Sequence, residues 1–418
     1  MNLFDKFSFI LKDSFIKNSY ILISDGIFTT LLGFIYWILA TRLYGSSDIG
    51  IGNSAVSAIS LVVSLSVQGF GVGIVRLVPQ YPDKENQVIN SCLTLSLMLL
   101  SLILSIFYIF LPFWSKSLNF FINGKFLFFV LFSFSYLYTL LLDCVFIAKR
   151  ETQNLLVKNL QLNTIKLFLL LGFIFQKSNG IYYSWGISIV ITCIIETLIF
   201  RKKINNSYKP ALVFDKKLDK EVLEYSMKNH ISDVLSSLPN IILPIMIVEL
   251  INANMAAYFT ITWMIMNSLM IIEKSTSQSL FAEISTNISE LDFMVKKSIK
   301  FLLSQLSPLL FAILLFGRYI LDIYGKEYSL NGYPLLVILT ISLIPYSLNT
   351  TYFVILRAKK ELSTLQLYTF FLTTTILILS YFMTIKWNLI GTGIAWLSAQ
   401  LLCFLIISPK LKKILKGS

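Results

Sequence analysis

Long apolar runs, separated by short clusters of charge, repeat along the 418 residues of the chain. In hydrocarbon a backbone N–H or C=O has no water to bond, so such a run is stable as a helix that closes its own hydrogen bonds. About 20 residues cross the roughly 30 Å of a bilayer core. On that measure the pattern predicts twelve spans, at 20–41, 49–78, 88–113, 125–148, 154–175, 181–200, 222–250, 254–281, 297–317, 333–356, 363–385 and 389–408. The seventh and eighth carry many polar residues and are the least regular.

Composition agrees with the pattern. Hydrophobic residues make up 56% and charged residues 14%, where a soluble domain is about a quarter charged. The net charge of +13 would suit nucleic acid, but the cations sit at the ends of apolar runs and on one side of them, which excludes it. Loops facing the cytoplasm carry the excess of Lys and Arg. With the N-terminus cytoplasmic, every inside loop is basic; only Arg42, Lys116, Lys125, Lys177, Arg318, Lys326 and Lys386 fall outside, and Lys166 and Lys228 lie within spans. The stretch to Lys17 is amphipathic and the first apolar run exceeds a signal h-region, so no cleavable signal is expected. These readings predict a multi-pass protein of the cytoplasmic membrane with both termini in the cytoplasm. Cys92, Cys144, Cys193 and Cys403 lie in separate runs; free thiols are expected, and no metal spacing occurs. Trp114, Tyr182, Tyr183, Trp185 and Trp387 near outside ends read as an interfacial belt.

The basic stretch 201–220 divides the spans six and six. An offset of about 208 residues, at the scale of a half-chain repeat, registers Ser24-Asp25 with Ser232-Asp233. An even number of spans per half makes the repeats parallel, with a substrate cavity expected between them. The expected fold is therefore all-α and integral to the membrane, with two pseudo-symmetric six-helix lobes around a central cavity. The lobes are 1–200 and 221–418, the second ending in a short basic tail, joined by the linker 201–220.

Two stretches carry a family resemblance. ATRLYGSSDIGIGNSAVSAISLV (40–62), followed by GFGVGIVRLVPQY (69–81), resembles the opening of polysaccharide flippases of the Wzx type. These belong to the multidrug/oligosaccharidyl-lipid/polysaccharide exporter superfamily. LDIYGKEYSLNGYPLLVILTISLIPYSLNTTYFVILRAKKE (321–361) is similar to the ninth-to-tenth helix region of the same family. The resemblance implies translocation of a polyprenyl-pyrophosphate-linked oligosaccharide between leaflets by alternating access, driven by a proton or sodium gradient or membrane potential. It implies no cofactor, membrane lipids as surroundings and glycan polymerase machinery as a partner. The lack of a GxxxxGK[ST] phosphate loop agrees with transport that does not use ATP.

Such cargo needs cations for its pyrophosphate, a wet cavity for sugar and an apolar slot for its tail. Ionisable residues inside spans are costly and so are the first candidates. Arg76, after Gly69, Gly71 and Gly73, either receives the pyrophosphate or snorkels to the interface. Lys166 either faces the cavity or pairs with a carboxylate such as Asp143 or Glu196. In the seventh span Lys228, His230 and Asp233 precede Pro239 and Pro244, and a Pro-interrupted polar helix is a common lining of transporter sites. Lys228 is a phosphate contact, and His230 either meets sugar, titrates or packs. Asp25 and Asp233 hold a coupling ion or bond a neighbouring helix. Glu273-Lys274, with the polar residues 275–278, either lines a vestibule or has reached water.

Two other functions remain open at this stage. A multidrug exporter of the same fold would show an apolar, acidic cavity. A membrane glycan polymerase or ligase would need a large outside loop, and neither such a loop nor a nucleophile–base arrangement is legible.

Overall fold

The structure is a computed structural model that describes residues 14–67, 69–114, 125–149, 151–286 and 291–416. Every regular element among them is helical. The helices are α1 (Ser14–Leu43), α2 (Ser46–Val67), α3 (Phe70–Gln80), α4 (Glu85–Trp114), α5 (Phe126–Ala148), α6 (Thr152–Gly172), α7 (Ser178–Ile199), α8 (Lys216–Leu250), α9 (Ala253–Thr286), α10 (Leu291–Asp322), α11 (Lys326–Ala358) and α12 (Leu362–Lys416). Among the described residues, ten helices are long and apolar enough to cross a membrane. The chain is thus a multi-pass membrane protein.

The predicted spans and the helices correspond with two differences. The second span, expected unbroken over 49–78, is two helices. Gly69 between them has φ 86, a left-handed angle open to glycine because it has no Cβ. α12 covers the last two spans. Trp387 and Asn388 interrupt it with non-helical angles. Asn388 takes φ 51, which Asn tolerates better than most side chains, and the Thr384 and Thr392 hydroxyls bond across the bend at 2.8 Å. The seventh span is one continuous helix, α8, with Pro239 and Pro244 inside it; among the described residues Val234–Leu250 is its apolar part.

The chain forms two compact units. The first comprises Met1–Tyr44 and Ala55–Val234; the second comprises Gly45–Ser54 and Leu235–Ser418. In the first, α1 packs on α6, α6 and α5 on α7, and α3 on α4 and α5. In the second, α11 is central, packed against α9, α10 and α12. Hydroxyls inside both units mostly bond the carbonyl one turn back, as Ser66 does to Val62 at 2.6 Å and Thr340 to Leu336 at 2.6 Å. This satisfies a polar group without a second helix, which is why so many Ser and Thr fit apolar surroundings.

Aromatic packing corrects one expectation. Tyr182 is fully buried, not interfacial; its ring lies 5.2 Å from Phe132 and 5.4 Å from Tyr183. Trp185 meets Tyr136 edge-on at 5.2 Å. All four cysteines are free thiols.

The linker following α7 is pinned rather than loose. Asn90 of α4 donates to the Lys209 carbonyl at 3.0 Å and accepts from the Ala211 amide at 3.3 Å. Thr94, one turn on, accepts from the Val213 amide at 2.9 Å. Tyr208 is buried against Phe200, and burial pushes its hydroxyl above the usual phenol range.

Candidate functional site

A network of charged and amide side chains lies inside the first unit, on α1, α5, α6 and α7. The α6 face supplies its spine. Asn159, Asn163 and Lys166 recur at four- and three-residue intervals, which places them along one side of the helix, and Lys158 adjoins Asn159. Lys158 Nζ holds both Asp143 carboxylate oxygens of α5 at 2.6 Å. Asn159 Nδ2 donates to both Asp25 oxygens of α1, at 3.0 and 2.9 Å. Asn163 donates to the Asn159 carbonyl at 2.8 Å and accepts from Lys166 Nζ at 3.0 Å. Lys166 Nζ also sits 4.5 Å from the centre of the Tyr36 ring, a cation–π distance. The Tyr36 hydroxyl reaches Ser184 Oγ of α7 at 3.2 Å.

Glu196 of α7 completes the network. It is 2% exposed, and among the described residues its carboxyl oxygens have no donor. The Asp143 carboxyl faces it. Two carboxyls bond each other only when one carries a proton. Asp25, Asp143 and Glu196 all feel Lys158, so three carboxyls share one close ammonium. Like charges so placed disfavour each other.

The expected residues fall out unevenly. Lys166 and Asp25 belong to this network. Lys166 is not the partner of Asp143 or Glu196: Lys158, two turns nearer the start of α6, takes Asp143 instead. Lys158 read as loop charge in sequence, yet it is 9% exposed; its place beside Asn159 was the available signal. Arg76 is exposed on α3. The side chains of Lys228, His230 and Asp233 lie outside the described residues. Glu273 of α9 is 3% exposed and accepts from Ser277 at 2.5 Å. Lys274, the next residue, is exposed.

Fold and network together define a two-unit helical membrane protein with ionisable groups buried in its interior. The match to the model of the polysaccharide biosynthesis protein family covers residues 15–287. The chain belongs to that family. No curated protein sequence matches it. Among solved structures it is similar to the lipid II flippase MurJ in an inward closed conformation, with a TM-score of 0.70 and 16% identity over 94% of this chain and 90% of that one. An inward-facing multidrug resistance MATE family transporter of the MOP superfamily gives 0.66 and 16% identity over 96% of each chain. A MOP superfamily transporter from Pyrococcus furiosus Vc1, described as having a binding pocket of reverse polarity, gives 0.64 and 14% identity over 97% and 96%. At these identities the likeness shows a shared fold.

Proposed function

We propose that the chain is a flippase that moves a polyprenyl-pyrophosphate-linked oligosaccharide from the cytoplasmic to the outer leaflet by alternating access. Membership of the polysaccharide biosynthesis family carries the reading. The fold shared with a lipid II flippase supports it, because that protein handles a lipid-linked cargo. In this reading Lys166, Lys228, Lys274 and Arg76 offer positive charge to the pyrophosphate, and His230 meets sugar. Asp25, Asp143 and Glu196 hold the coupling proton or sodium ion. Burying that many carboxyls beside one ammonium in a bilayer is expensive, and a site that loads and unloads a cation gives the expense a purpose.

The same carboxyls favour a second reading, export of organic cations. One experiment separates the two. The purified protein is reconstituted in liposomes with a fluorescent polyprenyl-pyrophosphate oligosaccharide or with ethidium, with and without a proton or sodium gradient. Gradient-accelerated leaflet transfer of the oligosaccharide is expected, and Glu196→Gln should leave transfer while abolishing its dependence on the gradient. Ethidium transport without oligosaccharide transfer would replace the flippase reading with the second.

A further inference from the structure

The linker that follows α7 descends along α4 in steps that its hydrogen bonds mark. At the start of α4, Asn205 donates to Asn86 at 2.8 Å and Asn86 donates to Ser207 at 3.2 Å. One turn on, Asn90 donates to the Lys209 carbonyl at 3.0 Å and accepts from the Ala211 amide at 3.3 Å. A further turn on, Thr94 accepts from the Val213 amide at 2.9 Å. Between Asn86 and Thr94 the linker therefore travels about 12 Å parallel to the α4 axis, at 1.5 Å per residue.

That direction leads into the membrane-crossing part of the helix, whose apolar span is Pro82–Leu111. Asn90 and Thr94 are 5% and 1% exposed. Further along, Met98, Ser101, Ser105 and Ile109 fall on the Thr94 side of α4 at 3.6 residues per turn, and all four are exposed. The Ser101 and Ser105 hydroxyls bond carbonyls one turn back, at 2.8 and 2.9 Å, so they too suit apolar surroundings. This side of a spanning helix, left uncovered by protein, faces lipid, and the linker lies over its first turns. Side chains of an extended chain alternate. Ala211 and Val213 turn their amides to α4, whereas Leu212 and Phe214 are 67% and 69% exposed. Non-helical backbone at membrane depth is stable where its polar groups are bonded, and Asn90 and Thr94, polar residues in an apolar helix, supply those bonds. Lys209, exposed at the level of Asn90, has a stem long enough to return its ammonium to the head groups.

We propose that residues 209–214 lie in the interfacial zone of the bilayer, with Leu212 and Phe214 inserted among the first acyl carbons of the lipids around α4. The partner is membrane lipid, met through the apolar chain just below its head group. In sequence this stretch reads as part of a basic loop in water; the bonds to Asn90 and Thr94 are what carry it down beside the span. The linker joining the two units thus runs through lipid. This placement is independent of the cargo, because it depends only on depth along α4.

Full-length protein in lipid nanodiscs tests it in two ways. The single variants Leu212→Cys, Phe214→Cys and Asn206→Cys are treated with a membrane-impermeant cationic thiol reagent, and modification is read site by site by mass spectrometry, so the native thiols stay in place. Asn206 is exposed and lies between two residues held at the start of α4, so its variant reports the water-facing level. The thiolate is the reactive form and apolar surroundings suppress it, so positions 212 and 214 should react at least about tenfold more slowly than 206. The three rates should converge once the protein is denatured. In the second arm the unsubstituted protein is irradiated with a phospholipid carrying a diazirine at the top of one acyl chain. Adducts are expected at Leu212 and Phe214, at the ~5–10 Å depth of interfacial side chains, and not at Asn206. Equal thiol rates in the nanodisc would place the stretch in water and overturn the proposal. Slow thiols without lipid adducts would overturn it as well, because a protein surface such as a second copy would then cover the pair.

Discussion

Replacing Gly50 with alanine tests how tightly α2 and α9 are joined. An added Cβ would lie 1.7 Å from the Ala253 carbonyl oxygen and 2.6 Å from its carbon. Since real Cβ contacts do not fall under 3.0 Å, the helices must part by at least about 1.3 Å, and backbone on both sides leaves no flexible side chain to yield. Asn53 donates to Thr260 at 2.9 Å and Ser46 to Asn254 at 3.1 Å across the same contact. Stretched by that distance, neither remains a hydrogen bond. Overpacking costs about 1–3 kcal/mol and each of the two lost bonds about 0.5–1.5 kcal/mol, so a loss of roughly 2–6 kcal/mol is expected. Two readouts follow. The melting temperature in detergent should fall, and oxidative cross-linking of a Ser46→Cys, Asn254→Cys pair should slow more than about tenfold. Gly33→Ala, where an added Cβ meets nothing within 4 Å, is the control. If Gly50→Ala melts and cross-links like its parent, the close contact argued from these distances is refuted.

Three further substitutions probe the first unit. Lys158→Met should destabilise by about 3–5 kcal/mol by stranding Asp143 in the interior; adding Asp143→Leu should recover most of the loss in a double-mutant cycle of melting measurements, and additive losses would contradict the pairing. Asn90→Ala should release the linker, at about 1–3 kcal/mol, and hydrogen exchange by mass spectrometry should show faster exchange at the Ala211 and Val213 amides; unchanged protection would mean that Asn90 does not pin it. Gly186→Ala would place a Cβ 2.1 Å from the Phe132 ring, so a melting loss of about 1–3 kcal/mol is expected, and none would show that the Phe132–Tyr182 stack moves freely.

Sequence alone determined the helical class, because in a bilayer the backbone leaves few alternatives to a helix for a run of some 20 apolar residues. It also located the bend before the last span, where polar Lys386 and Asn388 interrupt the apolar run, whereas the polar residues and the prolines Pro239 and Pro244 of the seventh span leave α8 continuous. The break at Gly69 escaped it, since a glycine inside an apolar run does not disclose its φ. Pairings were less legible still. Asp25 and Lys166 stood out as charges within spans, but whether Lys158 or Lys166 meets Asp143 depends on the rotation of α6 against α5, to which hydropathy is blind. The registration of Ser24 with Ser232 is an expectation of a repeat read from sequence alone. Arg357 looked like ordinary charge at a helix end, and Lys274 like part of a vestibule or of a helix already in water. Their neighbourhood along one cleft between α9 and α11 belongs to tertiary structure, because contact between distant positions is set by which faces of two helices pack and which are left open.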